Sequence, residues 1–418
     1  MIKTEYGRFS APFYQQKLDN GLSVIFLPRE SRLNSALLYI PSGSYRHEES
    51  INGVKTPYGS AYVFQNLVLN EKRRKEFAKM STKATSSLDY SYTLFHLDTL
   101  DDIFPSVQKL LDVFLKQDFT EEEIEEFKKE NQESLLSMEA SSLHQAKQGL
   151  LDNLYVSSSI KKGIYPSFKD VNLIHRSTLR NYVEKYAQAN MMTLFISGNM
   201  KVEDVSKRIE FLKVPSHVTM SVSPNIEEEP YDRVNHPYTE ASRNSADGSY
   251  LSFGIKFPKR KELYEAFGQL LFEFYEILVP TLFSANSSFL NGVSKTGSRL
   301  VDSTLEQAGE DGYVSLTFKT LESSQLIRFL TDYCSKLEKR ISSKEFKSFL
   351  NDYYASSIET LSSPNTALDE FGRVYANNLA YTGIVSSIMK MSFNTYRNFL
   401  GKMDHFPKAA FYLMKKVD

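Results

Sequence analysis

The chain has 418 residues, 41% of them hydrophobic and 24% charged, a composition that excludes a disordered or low-complexity protein and leaves room for more than one domain. Fifty basic residues against 51 acidic ones give a net charge of −1, so neither a nucleic-acid backbone nor an anionic membrane is the expected partner. The opening MIKTEYGRFSAPFYQQ has no apolar core of signal-peptide length, and no run of about 18 apolar residues follows, so a cytoplasmic protein without membrane spans is expected.

In chain order, Gln15 to Leu18 and Leu22 to Leu27 flank Asn20-Gly21 and predict a hairpin with those two residues as its turn. A strand is expected at Ser35 to Ile40, a helix at 58–70, and another strand at Tyr90 to Leu97, where residues alternate. Helices follow at about 101–116 and 120–143, the second opened by Thr120 with Glu123 as a capping box. A helix through Arg180, a strand around Phe195 and a helix at 201–212 close the first half. Val214 to Asn244 carries four prolines, the run Glu227-Glu228-Glu229 and little periodicity, which predicts a linker. Beyond it, strands are expected at 248–257, 312–320 and 408–416, with helices at 260–279, 322–340, 343–360 and 364–380. Charge runs such as Lys72 to Lys75 and Glu121 to Glu126 read as solvated faces. The single cysteine, Cys334, rules out an internal disulfide framework; the helical pattern around it predicts a buried structural thiol.

The chain also resembles itself. Thr178-Leu179-Arg180-Asn181-Tyr182 returns as Thr395-Tyr396-Arg397-Asn398-Phe399, and at the same spacing of 217 residues Met192 to Ile196 falls on Ala409 to Leu413. Two homologous domains of about 200 residues are therefore expected, 1–213 and 245–418 with the linker at 214–244 between them. Strands and long helices without strict βαβ alternation predict an α+β fold, each half a mostly antiparallel sheet packed against helices.

The helix at 58–70 contains GSAYVFQNLVLN. At about 100° per residue, Tyr62, Gln65 and Asn66 share one face, while Val63, Phe64, Leu67 and Val68 form the other. The segment resembles the zinc helix of peptidases with the inverted motif, G-x-A-H-F-x-E-H, with Tyr62, Gln65 and Asn66 standing where His, Glu and His would stand. The opening LDNGLSVIFLPRESRLNSALLYIPSGSYRHE resembles the first hairpin and next strand of the same peptidases. Lys83-Ala84-Thr85 before Asp89 to Thr93 is similar to their N-A-x-T and following strand, with Lys83 in place of Asn.

With these landmarks in order, the chain resembles the pitrilysin/insulinase-type zinc peptidases along nearly its whole length, and among them the bacterial, YmfF-like members that lack the motif. The resemblance implies a further zinc-ligating Glu within an E-x6-E pattern on the helix near Thr120; aligning Glu130 with the first Glu puts Ser137 at the ligand position. It implies a substrate-contacting Arg and Tyr in the second half. The corresponding stretch, Ser287 to Leu300, shows neither in its expected place. Zinc needs imidazole, thiolate or carboxylate donors, so no catalytic residue, metal or other cofactor is expected in this chain. The seven histidines, His47, His96, His144, His175, His217, His236 and His405, show no i, i+3 or i+4 pair and read as solvated or singly hydrogen-bonded.

What the resemblance then implies is a non-catalytic subunit that pairs with a zinc-bearing, H-x-x-E-H sister to form a peptide-processing chamber. The expected substrate contact is addition of an extended peptide to a sheet edge at Leu88, Asp89, Tyr90, Ser91, Tyr92 and Thr93. The alternative is a stand-alone structural or peptide-binding protein without a protease partner.

Overall fold

A computed structural model describes residues 1–4, 12–46, 50–51, 53–116, 119–214, 222–223, 229–243, 248–376, 390–403 and 408–416. In chain order the elements are β1 (Ile2–Thr4), β2 (Phe13–Lys17), β3 (Ser23–Pro28), β4 (Asn34–Ile40), β5 (Ser50–Ile51), β6 (Val54–Lys55), α1 (Ser60–Val68), α2 (Glu71–Ala78), β7 (Thr82–Leu88), β8 (Thr93–Thr99), α3 (Phe104–Lys116), α4 (Glu121–Ala140) and α5 (Ser142–Leu154). Then come α6 (Phe168–Asn172), α7 (Arg176–Tyr186), β9 (Thr193–Gly198), α8 (Val202–Ile209), β10 (Val222–Ser223), β11 (Tyr238–Arg243), β12 (Ser249–Lys256), α9 (Arg260–Phe267), α10 (Leu270–Val279) and α11 (Ser287–Lys295). The chain ends with β13 (Ser298–Ala308), β14 (Asp311–Thr320), α12 (Ser323–Cys334), α13 (Ser343–Ser362), α14 (Pro364–Ala376), α15 (Phe393–Lys402) and β15 (Ala409–Lys416).

The fold is α+β, and its two large sheets repeat one plan. The first runs β1-β2-β3-β9-β4-β8-β7 and the second β11-β15-β12-β14-β13. From β3 onward the orders correspond strand for strand, and among the described residues the one parallel pair of each sheet falls in the same place, β3 with β9 and β11 with β15. The 217-residue spacing read from sequence carries β9 onto β15 and α7 onto α15.

In the first sheet, β4 and β9 are buried almost throughout, so their side chains need cover on both faces. On one face Ala36, Leu38, Phe95, Leu97 and Leu194 pack with Val107, Leu110 and Leu111 of α3. On the other, Phe13, Leu27, Leu37, Tyr39, Leu94 and Phe195 pack with Leu368 and Phe371 of α14, a helix from the far half of the sequence. Gly372 makes this fit: a Cβ there would lie 2.7 Å from Leu37 Cδ2. Tyr375 adds ring contacts to Tyr39 and Phe195 at 5.3 and 5.5 Å, and its hydroxyl accepts a hydrogen bond from Thr193 Oγ1 at 3.0 Å.

The second sheet is completed in the same way by α5, from the first half. Ala146 packs with Tyr250 and Met414. Gly149 gives room to the Tyr412 ring, and Gly254 of β12 to Leu150 and Leu154. Asn153 donates to Phe411 O at 2.7 Å and Thr239 Oγ1 at 2.9 Å. Packing thus divides the chain differently from the contiguous reading of 1–213 and 245–418. One compact unit is Met1–Glu133, Ile164–Asn225 and Ser356–Val385, and the other is Ser134–Gly163, Ile226–Ala355 and Ser386–Asp418.

Several elements differ from expectation for local reasons. The first hairpin turns through three residues, because Leu18 and Leu22 still pair (Leu18 N to Leu22 O, 2.9 Å) and Gly21 takes the left-handed φ of +96°. The segment expected to be linker contains β11, whose alternating half-exposed residues pair with Phe411 to Lys416. The helix expected at 260–279 breaks at Gly268, φ +56°, into α9 and α10. Ser141 caps a new helix, α5, by accepting from His144 N, where one helix was read to 143.

A fragment of residues 1–213 keeps the first sheet but lacks α14. It is expected to show no cooperative urea transition and to bind a hydrophobic dye, whereas the full chain unfolds cooperatively. A cooperative transition in the fragment alone would remove α14 from the list of required parts.

Candidate functional site

The helix α1 begins where only glycine fits. Gly59 has φ +91°, and a Cβ on it would come within 2.8 Å of Pro166 Cβ. Val63, Phe64, Leu67 and Val68 are buried as the periodicity requires. Phe64 anchors this face among Phe95, Phe114 and Tyr182, with ring centroids 5.6 to 6.0 Å away.

The opposite face carries Tyr62, Gln65 and Asn66, each engaged with the protein itself. The Tyr62 ring meets Phe127 at 6.0 Å and Tyr165 at 6.2 Å, both edge-on. Burial, then the neighbouring Tyr165, raises the Tyr62 pKa, so the phenol stays neutral. Gln65 Nε2 donates to Ser86 Oγ at 3.1 Å, tying α1 to β7. Asn66 Nδ2 turns back to the Tyr62 carbonyl at 2.8 Å. Two neutral amides and a neutral phenol offer zinc none of its usual donors, and no residue here is a base of suitable pKa. The residues present do not fit a catalytic zinc.

On α4 the capping box is formed: Thr120 N donates to Glu123 Oε2 and Glu123 N to Thr120 Oγ1, both at 3.1 Å. The α4 side chain that meets Tyr62 is Phe127. Glu130 and Ser137 are exposed, and ten residues of helix separate Ser137 from Phe127 by about 15 Å. The register that gave Ser137 the fourth ligand position is therefore displaced from the place where α4 meets α1. The inward residues of α4 are Ile124, Phe127, Lys128 and Leu135, while the E-x6-E reading followed acidic residues that face solvent.

Leu88 to Thr93 is not a strand but the connection from β7 to β8. Leu88 ends one strand, Thr93 begins the next, and the two pair. Asp89 and Tyr90 carbonyls accept from Ser44 N and Tyr45 N at 3.1 and 2.8 Å, an approach that requires Gly43, whose Cβ would lie 2.1 Å from Asp89 O. Ser91 N is held by Asp89 Oδ1 at 3.2 Å, and Thr93 Oγ1 by Ser42 O at 2.7 Å. Tyr92 packs on Tyr39 at 5.9 Å. The true edge is β7, which pairs only with β8 among the described residues and exposes Lys83, Thr85 and Ser87. Sequence reading missed it because Thr82 to Leu88 is polar. In the second half, β13 occupies the equivalent edge, with Arg299 exposed at its start.

Of the histidines, His47, His217 and His405 lie outside the described residues. His175 Nδ1 is 3.4 Å from Glu121 Oε1, and these two with Glu125 form a surface cluster already used in capping α7 and in the Lys128–Glu125 pair. His96 is of the singly hydrogen-bonded kind, but it is paired with two carboxylates. It lies between Asp369 of α14 (Nδ1 to Oδ1, 3.0 Å) and Asp98 (Nε2 to Oδ1, 3.3 Å). Burial alone would lower its pKa, but the contacts with Asp369 and then Asp98 outweigh it and raise it to about 9. Cys334 is buried, and burial pushes its thiol pKa up, as a structural thiol requires.

With this geometry established, likeness to solved structures is decisive for the fold. The chain matches a protein described as an M16-like peptidase from Alicyclobacillus acidocaldarius with a TM-score of 0.82 at 16% identity, over 97% of this chain and 98% of that one. The fold is that of the M16-like peptidases. A peptidase M16 inactive domain from Pseudomonas fluorescens matches with a TM-score of 0.73 at 16% identity, over 97% and 98% of the two chains. A chain of Complex III2 from Candida albicans matches with a TM-score of 0.71 at 12% identity, over 96% and 95%. No family profile and no curated protein sequence matches the chain.

Two predictions follow the geometry. The variant Tyr62→His/Gln65→Glu/Asn66→His is expected to bind zinc weakly; adding Phe127→Glu should tighten binding about tenfold or more, whereas adding Ser137→Glu should not, as read by zinc titration. Second, the raised His96 pKa stabilises the fold fully below its unfolded value of 6.5, and that contribution is lost as pH rises through about 9. At roughly 1.4 kcal/mol per pKa unit the loss is at most about 3.5 kcal/mol, and less because Asp369 is partly solvated. His96→Gln should flatten the fall in urea midpoint between those two pH values.

Proposed function

We propose that this chain is a non-catalytic, YmfF-like member of the pitrilysin/insulinase family, acting as a subunit beside a zinc-bearing H-x-x-E-H sister. The observation that carries this reading is α1: in an M16-like fold, its would-be metal face consists of Tyr62, Gln65 and Asn66, each with a partner inside the protein. The likeness to an inactive M16 domain supports it. The zinc, the nucleophilic water and the base would come from the sister chain, and a cytoplasmic setting belongs to the same reading.

This chain's share would be peptide binding at β7. An extended peptide can add to that strand through main-chain hydrogen bonds, with its side chains alternating across the edge. Gln65 would act as a positioning residue through Ser86. A second reading, a structural or peptide-binding protein without a protease partner, is favoured by the likeness to the Complex III2 chain.

The test is purification of the chain from its own cells followed by identification of what accompanies it. Recovery of an H-x-x-E-H chain, with peptide cleavage by the pair exceeding that of the sister alone, is the expected result. A chain that purifies alone and adds nothing to the sister's cleavage would favour the second reading. Because N–H groups alternate across a strand, one of Thr85→Pro and Ser86→Pro should keep the β7–β8 ladder yet weaken peptide binding by about tenfold. If neither variant binds peptide less well, β7 is not the docking edge.

A further inference from the structure

Glu229 lies at the end of the acidic run in the expected linker, yet it is only 5% exposed. A buried carboxylate is strongly disfavoured unless its lone pairs are met. Here both oxygens are met in full. Oε2 accepts from the amides of Ser157 and Ser158, each at 2.8 Å, and from the Ser157 hydroxyl at 3.1 Å. Oε1 accepts from the Val156 amide at 3.1 Å and from Lys256 Nζ at 2.8 Å.

Three consecutive main-chain amides turned toward one anion make a concave site of the kind that binds free anions elsewhere. Lys256 is fully buried and is completed by the carbonyls of Pro230 and Arg233, both at 2.7 Å. Burial alone would raise the Glu229 pKa, but Lys256 and the three amides hold it below the usual carboxylate range.

All five donors belong to parts of the chain other than the one that brings Glu229. The amides follow α5, and Lys256 ends β12; these elements pack closely through Gly254, Leu150 and Leu154. The Tyr155 hydroxyl fastens the same turn to Gly312 O at 2.9 Å, and Ser158 Oγ bonds to buried Asp311. That second carboxylate, which also accepts from the Tyr231 hydroxyl at 2.5 Å, gives the site a negative neighbour and favours a monoanion over phosphate or sulfate.

We infer that Val156 to Ser158 and Lys256 form a carboxylate-binding site, filled in cis by Glu229, which takes a small free carboxylate when that side chain is removed. Its consequence for the fold is that occupancy fastens the start of the 229–243 stretch, and with it β11, beside the second sheet.

The experiment uses the full chain with Glu229→Ala, unfolded in urea with sodium formate or with sodium chloride at equal ionic strength. Formate at about 0.2 M is expected to raise the variant's folded-to-unfolded ratio about tenfold over chloride, for a dissociation constant of about 20 mM. Acetate should act more weakly because of its methyl group, and phosphate least. Wild type and Glu229→Gln, whose sites are filled, should respond to formate no more than to chloride, and Glu229→Ala/Lys256→Met should lose the response. Should Glu229→Ala fail to fold unaided, refolding yield in formate against chloride reads the same quantity. Equal behaviour in the two salts, or a formate response that persists in the double variant or appears in wild type, would overturn the inference.

Discussion

A sheet whose central strands are apolar on both sides must be covered twice, and everything else in this chain follows from how that is done. β4 and β9 leave almost no exposed side chain, and β12 and β14 repeat the condition in the second half. One cover of the first sheet is local, the α3 helix after β8. The other is α14, supplied from the opposite half, as α5 is for the second sheet. Burying a Leu or Phe side chain contributes about 1.5–3 kcal/mol, so Leu368 and Phe371 alone supply stabilisation comparable with a large part of a typical domain's net stability. Neither half of the sequence contains all that its own sheet requires. Gly149 and Gly372 mark the cost of close approach, since a larger residue at either place would collide with Tyr412 or Leu37.

Periodicity made the central elements legible because burial on a regular lattice leaves a regular pattern. The strands at Ser35, Phe195 and 408–416, the capping box at Thr120 and the two faces of α1 were all of that kind. What escaped reading was edge structure. β7, β11 and β13 are half-exposed, and their polar residues resemble loop sequence. α5 escaped for a different reason: Ser141 ends one helix and caps the next without a proline or glycine to mark the break. The exchange of α5 and α14 was invisible because pattern shows that a helix has an apolar face, not which sheet that face meets.

At the candidate site the same distinction holds. The positions of Tyr62, Gln65 and Asn66 were set by helical spacing and needed no knowledge of their partners. The fourth position required knowing which turn of α4 faces α1. That turn is marked by apolar Phe127, and counting from acidic residues led to exposed Ser137. The partner of His96 was not legible because Asp369 stands 273 residues away on the exchanged helix.

A zinc site contributes metal-binding free energy to the stability of the helices that hold it. The polar face of α1 is held by direct contacts: the Tyr62 ring between Phe127 and Tyr165, the Gln65–Ser86 hydrogen bond and the Asn66 return to the Tyr62 carbonyl. The buried face of the helix, centred on Phe64, takes its aromatic neighbours from β8, α3 and α7. Main-chain groups of β7 are positioned by pairing with β8. The polar face of α1 and the strand β7 are thus held largely by different contacts and are joined by the Gln65–Ser86 hydrogen bond.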